Sequence, residues 1–388
     1  MRFLLLIILF TFSLLSFGQI QRCSTDEYRE VLKEKFIYNS HKKQDKRQFF
    51  YPSNGNYDIP VVVHVLYNND EQNISDDRIF SQIETLNNDY NALNIEINDI
   101  PEEFQSVIAT VGFNFCLVQE DLNGSPFSGI NRVYTDSESF QGFSDDMKKS
   151  EEGGVDPWDV HNYLNIWVCD LNGNTLGFST MPDDLFAFPE KDGIVIDYEY
   201  FGVDLSSTSP YNLGRTATHE VGHYFNLEHT FSSGCSDWGG DGCDDTPAVQ
   251  YATYGCPSYP QESCSSNDMT MNYMDYTNDA CMSMFTVCQA ERMIDALLTY
   301  RTNLIASSNC SVSVDDFVSS NHISIFPNPV IDFLNIDIQN TFVTIFNIYG
   351  QKIMYKYILD NNKLDVSTLS AGTYIISVDM GHYKFTKE

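Results

Sequence analysis

The residues best suited to chemistry lie in one run, His219-Glu220-Val221-Gly222-His223-Tyr224-Phe225-Asn226-Leu227-Glu228-His229. Residues four apart on a helix share a face, so His219 and His223 can aim both imidazoles at one ion. Glu220 follows the first of them and can reach a water on that ion. His229 comes six residues after His223 and can join only if the helix stops and the chain bends back. Asn226 stands at the required bend, and asparagine tolerates a left-handed backbone better than other non-glycine residues. Three histidines leave the fourth position of a zinc ion open for water, which is the catalytic arrangement. Such an ion lowers the pKa of its water to ~7, and Glu220 can take the proton and return it to a leaving amine. The competing reading is a surface helix with two solvated histidines. Against it, three of the chain's eight histidines fall in this short run.

The run resembles the elongated zinc-binding consensus of the metzincins, with Asn226 in place of glycine. Downstream, Met271-Asn272-Tyr273-Met274-Asp275-Tyr276 is similar to a Met-turn, and Asn272 to Thr286 as a whole resembles that segment of the pappalysin family. Ile59 to Tyr67 and Asp245-Thr246-Pro247 are also similar to that family, so the resemblance covers roughly residues 57 to 305. It implies a twisted mixed sheet, an active-site helix and an apolar floor under the histidines made by Met274. Tyr276 becomes the phenol that hydrogen-bonds the carbonyl oxygen, with an ordinary packed tyrosine as the alternative. Asp279 falls in the wall that lines the pocket for the residue just after the cut. An acidic group there favours Arg or Lys, and the alternative is a solvated aspartate. Arg22-Cys23-Ser24-Thr25 resembles a cysteine-switch segment, in which the Cys23 thiolate takes the open zinc position; the alternative is a disulfide cysteine. Asp237, Asp241, Asp244, Asp245 and Thr246 cluster in a glycine-bearing loop of the kind calcium uses. The resemblance implies structural calcium there, with Asp241, Asp245 and Thr246 as ligands, and a solvated acidic loop is the alternative. By the family pattern Cys235 pairs with Cys264 and Cys256 with Cys281. Cys243 and Cys288 fall outside that pattern and are candidates to pair with each other, while Cys116, Cys169 and Cys310 are unassigned.

Other elements must hold these residues in place. At 388 residues, with 27 Phe and 23 Tyr, the chain can bury a substantial core in two or three domains. The net charge of −32 excludes a nucleic-acid-binding reading. Residues 1–18 read as a secretory signal peptide: Arg2, an apolar run too short to span a bilayer, then Ser16-Phe17-Gly18. The chain is then secreted, and ten cysteines in an exported chain imply disulfides. Residues 19–55 read as a propeptide with a helix near Asp26 to Phe36 and a dibasic stretch, Lys42 to Arg47, suited to self-cleavage. Residues 56–306 read as the catalytic domain, of mixed α/β (α+β) class because strands and long helices interleave. Its strands are Pro60–Tyr67, Val111–Leu117, Leu164–Val168 and Gly193–Ile196. Its helices are one capped by Ser75, the active-site helix at about Leu213 to Phe225, and one at about Cys288 to Ala306. Residues 307–320 read as a linker. Residues 321–388 read as a small all-β sandwich of short alternating strands. This last part resembles the C-terminal sorting domain of type IX secretion substrates, through Phe326-Pro327-Asn328-Pro329, Asn347 to Gln351, Leu369 to Tyr374 and Lys384 and Lys387. The functional expectation is a secreted zinc endopeptidase, made as a zymogen, acting on proteins or peptides and exported by the type IX machinery. The alternatives are an inert secreted binding or adhesion protein and a small-substrate zinc amidase on the same fold.

Overall fold

The structure is a computed structural model that describes residues 21–35, 56–236, 239–305, 325–336, 341–347, 352–358, 363–378 and 381–388. The signal-peptide, dibasic-stretch and linker expectations fall outside the described residues, as do Asp237 and Cys310. The chain divides into two compact units, Met1–Ser311 and Val312–Glu388.

The first unit begins with helix α1 (Thr25–Lys35). Strand β1 (Tyr57–Tyr67), helix α2 (Asp76–Tyr90), β2 (Phe113–Leu117), β3 (Ile130–Tyr134), β4 (Leu164–Cys169), β5 (Gly177–Ser179) and β6 (Ile194–Asp197) follow. The last long elements are the active-site helix α3 (Arg215–Tyr224) and helix α4 (Val287–Tyr300). Strand β1 is buried from Ile59 to Leu66, as a near-continuous valine run on a sheet covered on both faces must be. It pairs in parallel with β2 along its first half and with β3 along its second. It also pairs in parallel with β4, β4 pairs in parallel with β6, and β5 closes the edge antiparallel to β6. The sheet is therefore mixed, as the family resemblance implies.

Alternation along the strands sorts side chains to two faces. Val61, Val63, Val65, Ile166, Val168, Ile194 and Ile196 meet Ile79, Leu86 and Tyr90 of α2 and Val221 and Tyr224 of α3. Each of these aliphatic burials contributes about 1.5–3 kcal/mol. Trp167, Phe178 and Val195 point to the other face, where Tyr28 and Leu32 of α1 pack on them. Ser75 caps α2 by accepting from the Arg78 backbone N–H at 3.3 Å, as expected.

Some boundaries differ from the expectation. The short strands β3 and β5 are additional, because Ile130–Tyr134 lacks apolar alternation and Gly177–Ser179 spans only three residues. Helix α3 starts two residues later than Leu213. The Leu213 N–H is taken by the Asp279 carboxylate at 2.8 Å, and Gly214 sits at φ 79°. Helix α4 stops at Tyr300, where Arg301 turns its guanidinium onto buried Asp192 at 2.6 and 2.8 Å.

The second unit has two antiparallel sheets. One orders Ile325–Phe326, Phe333–Ile336 and Lys363–Asp365; the other orders Lys352–Ile358, Thr341–Asn347, Gly372–Val378 and Gly381–Lys387. Val330, Leu334, Ile336, Val343, Ile345, Leu364, Val366, Ile376 and Phe385 form one core, consistent with the expected sandwich. Lys363–Asp365 and Gly381–Lys387 are strands beyond those expected.

Candidate active site

Helix α3 holds His219, Glu220 and His223, and all three are buried. The helix ends at Tyr224. Asn226 then takes φ 77°, the left-handed bend that its position implied. The Leu227 N–H returns to the Gly222 carbonyl at 2.9 Å, which turns the chain and brings His229 back to the helix. The His223 Nε2 lies 3.2 Å from that of His219 and 3.0 Å from that of His229. A tetrahedral zinc with Zn–N of about 2.0–2.1 Å sets its nitrogens about 3.3 Å apart, so the three nitrogens fit one ion. Their other nitrogens are already engaged. Nδ1 of His219 donates to the Tyr273 carbonyl and that of His223 to the Leu227 carbonyl, both at 2.7 Å, which fixes Nε2 as the free lone pair. Nδ1 of His229 faces the Asp26 carboxylate at 3.1 Å. Burial pushes His219 well down and His223 down to about 3, so both are neutral, as ligands must be.

Under the helix, Met274 is fully buried. Its sulfur lies where a Cβ on Gly222 would come within 2.6 Å, so the glycine is what lets the Met-turn close on the ligands. Tyr273, next to it, donates to Asp89 at 2.9 Å. Asp89 also accepts from Thr218 at 2.7 Å and from Arg215 at 3.2 Å. One buried carboxylate thus ties α2, α3 and the Met-turn together. The sequence reading missed Asp89; its only signal is a charged residue beside Tyr90 on the apolar stripe of α2.

The segment Gln21–Thr25 lies in the cleft across the histidines. Gln21 and Ser24 hydrogen-bond the edge of the sheet, Gln21 N–H to the Asn174 carbonyl at 2.9 Å and Ser24 N–H to the Gly177 carbonyl at 3.0 Å. Cys23 is buried, and its sulfur lies within 4.8 Å of a ligand nitrogen of His219, His223 and His229. Thr25 donates its hydroxyl to Glu220 Oε2 at 2.9 Å, while Glu220 Oε1 is without a partner. Burial raises the Glu220 carboxyl to about 8 in this closed arrangement. The Tyr276 hydroxyl donates to the Cys23 carbonyl at 3.1 Å and lies 3.2 Å from His229 Nε2. Asp279 is fully buried and is not a solvated aspartate. Its Oδ1 accepts from Arg22 Nη2 at 2.7 Å, and its Oδ2 accepts from the backbone N–H groups of Leu213 and Arg215. Arg22 also donates to the Thr277 carbonyl at 2.7 Å and lies over the Tyr211 ring at 5.0 Å.

The geometry has counterparts. A family model described as peptidase M43, pregnancy-associated plasma protein-A, matches residues 148–298. An extracellular metalloprotease of Podospora anserina is 35% identical over 215 residues, 53% of this chain and 67% of that protein. Mature mirolysin of Tannerella forsythia, solved in complex with a cleaved peptide, is 42% identical, with a TM-score of 0.64 over 66% of this chain and 99% of that one. A mutant promirolysin from the same organism is 41% identical, with a TM-score of 0.63 over 65% of this chain and 85% of that one. The chain belongs to the pappalysin family of zinc metallopeptidases.

Matches to the first few curated relatives span about half to two thirds of those proteins. Residues 324–388 of this pappalysin match a secretion system C-terminal sorting domain. With its extracellular relatives, that marks it as secreted. Among the described residues no helix is long and apolar enough to cross a membrane.

The disulfides Cys235–Cys264 and Cys256–Cys281 are both present. Cys243 and Cys288 are thiols, and the Cys243–Cys288 bond is not formed. In the acidic loop, Asp241 accepts from the Cys243 N–H at 2.9 Å and from Gln289 Nε2 at 2.7 Å. Asp245 accepts from Thr286 Oγ1 at 2.7 Å and from the Cys288 N–H at 2.9 Å, and Thr246 meets Thr286 at 3.3 Å.

Proposed function

We propose that this secreted pappalysin is an endopeptidase made as a zymogen, with residues 19–55 as the pro-segment, and that it cuts before Arg or Lys. The observation that carries the reading is the segment Arg22–Thr25, which meets every group the reaction needs. Arg22 fills the place of a basic side chain on Asp279. The Cys23 carbonyl takes the place of a substrate carbonyl beneath Tyr276. The Cys23 thiol stands among the three histidines, and Thr25 occupies Glu220. The relatives support it, since promirolysin and mature mirolysin bracket the two states and the latter holds a cleaved peptide.

His219, His223 and His229 would hold the zinc through Nε2. Bound there, the ion supplies Lewis acidity and a water that loses its proton near neutral pH. Glu220 receives that proton at Oε1 and returns it to the departing amine. Tyr276 donates its hydroxyl to the carbonyl oxygen as charge develops. Asp279 holds the basic side chain by a charge-assisted pair in a site closed to water. Met274 and Asp89 keep the helix and the Met-turn in register.

For the acidic loop, we infer one calcium ion near Asp241, Asp245 and Thr246. Burial, with a smaller contribution from Asp245, raises the Asp241 carboxyl to about 6, and a cation there would relieve that cost. Metal analysis of the purified protein, giving one zinc and one calcium, tests both ions. Export by the type IX machinery follows from the sorting domain and is tested by deleting residues 321–388.

The deciding experiment compares activated protein with Glu220→Ala on casein and on an Arg-containing peptide, with and without a zinc chelator. Activity that survives Glu220→Ala or chelation overturns the mechanism. Cuts that do not precede Arg or Lys overturn the role of Asp279. A Cys23→Ala precursor that stays fully latent overturns the cysteine switch.

A further inference from the structure

Behind the site, two thiols meet where the acidic loop touches the start of α4. Cys243 is buried and Cys288 is half-buried. Their sulfurs and an oxygen of Asp245 all lie within 4.8 Å of one another. Two readings of this cluster differ chemically: a metal site of two thiolates and a carboxylate, or a dithiol poised to oxidise. Asp245 is shared: its two oxygens accept from Thr286 Oγ1 and the Cys288 N–H, which ties the carboxylate to the acidic loop and to α4 rather than dedicating it to the two sulfurs. Two thiols alone do not complete a zinc site. The chain is also exported, and adjacent thiols do not persist in an oxidising compartment.

We propose that Cys243 and Cys288 are oxidised to a disulfide during export and that this bond braces the Met-turn from behind. Cys288 is the more accessible of the two residues and lies in the first turn of α4. It attacks a protein or small-molecule disulfide oxidant, forming a mixed disulfide and releasing one thiol. Cys243 then attacks the Cys288 sulfur, closing the Cys243–Cys288 bond and releasing the second thiol. The two protons and two electrons lost by the pair appear in the two thiols of the reduced oxidant.

Each cysteine is close to a member of a hydrogen-bond relay to the site. Asp241, two residues before Cys243, accepts from Gln289, the residue after Cys288, at 2.7 Å. The Gln289 amide also exchanges bonds with Asn272 at 2.8 and 3.1 Å, and Asn272 Oδ1 accepts from the Met274 N–H at 2.9 Å. Linking residues 243 and 288 covalently holds Asp241 and Gln289, the first two members of that relay, and the loop it closes contains the Met-turn.

The experiment maps thiols in the secreted full-length protein, purified without reductant, unfolded in the presence of an alkylating agent and digested. A peptide joining residues 243 and 288 is expected, with Cys23 and Cys169 as the alkylated positions. A Cys243→Ser/Cys288→Ser double variant is expected to melt roughly 5–15 °C lower and to lose zinc to a chelator faster. Alkylation of both Cys243 and Cys288 in the wild-type protein overturns the proposal, and that mapping does not depend on the variant folding. A further metal ion lost on the double substitution also overturns it, in favour of a thiolate metal site. A linked peptide with unchanged melting and zinc retention in the double variant overturns the bracing role.

Discussion

Arg22 is the residue whose removal tests the latency reading most sharply. Its guanidinium and the Asp279 carboxylate are both fully buried and 2.7 Å apart. Truncating one partner of a buried pair costs about 3–5 kcal/mol, because the other charge is left uncompensated. Asp279 keeps two backbone donors, Leu213 and Arg215, so the lower figure applies. At about 1.4 kcal/mol per factor of ten, about 3 kcal/mol raises the fraction of precursor with an open cleft on the order of 100-fold. Arg22→Lys keeps the charge but loses the second arm, the bond to the Thr277 carbonyl, and should open the cleft about tenfold. The assay is residual peptide hydrolysis by precursors whose Lys42–Arg47 stretch has been replaced to block processing, with Cys23→Ala as the reference. The expected order of activity is Arg22→Ala above Arg22→Lys above wild type. If Arg22→Ala is no more active than wild type while Cys23→Ala is active, the thiol alone maintains latency and the argument from the buried pair is wrong.

Three further outcomes follow from the packing. Gly222→Ala places a Cβ about 2.6 Å from the Met274 sulfur, so it should destabilise the unit by about 1–3 kcal/mol and speed zinc loss, read by thermal melting and chelator competition. Asp89→Ala leaves the buried Arg215 with Glu96 as its remaining ion-pair partner and unpairs Thr218 and Tyr273, which should cost about 3 kcal/mol by denaturant titration; a loss below about 1 kcal/mol would refute its role as the joint between the helices. Asp197 is raised to about 7, chiefly by burial, against about 3.9 unfolded. A raised folded pKa gives stability that is full below the unfolded value and lost as pH rises through the folded one. Stability should therefore decline between about pH 4 and 7 on account of this group, and Asp197→Asn should flatten that slope even though it weakens the protein at pH 5.

What was legible in the sequence divides by distance along the chain. The zinc ligands, the Asn226 bend and the Ser75 cap are local patterns, in which spacing alone dictates which atoms can meet. The two disulfides and the Met-turn came from resemblance, because no spacing rule pairs cysteines. Asp89 was not legible, since its partners Arg215, Thr218 and Tyr273 lie 126 to 184 residues away. The same holds for the pairing of Arg22 with Asp279 across 257 residues. Asp279 could be named as a pocket acid and Arg22 as part of a switch segment, but only the folded cleft joins them. The short strands β3 and β5 carry no periodicity, and their place is set by the neighbours they pair with.

On the zymogen reading proposed above, the contacts in the closed cleft imply that latency would not rest on the thiol alone. Cys23 offers a single sulfur, whereas α1 adds Tyr28 and Leu32 packed against Trp167 and Phe178, with the Tyr28 ring 4.7 Å from that of Phe178. Burying those two side chains contributes about 1.5–3 kcal/mol each, comparable to the Arg22–Asp279 pair. Cleavage within residues 42–47 would cut outside all of these contacts and would remove none of them. The segment would then leave by dissociation or by a second cut, so the rate of activation would be set by how tightly Arg22, Cys23 and Tyr28 hold rather than by the first cleavage.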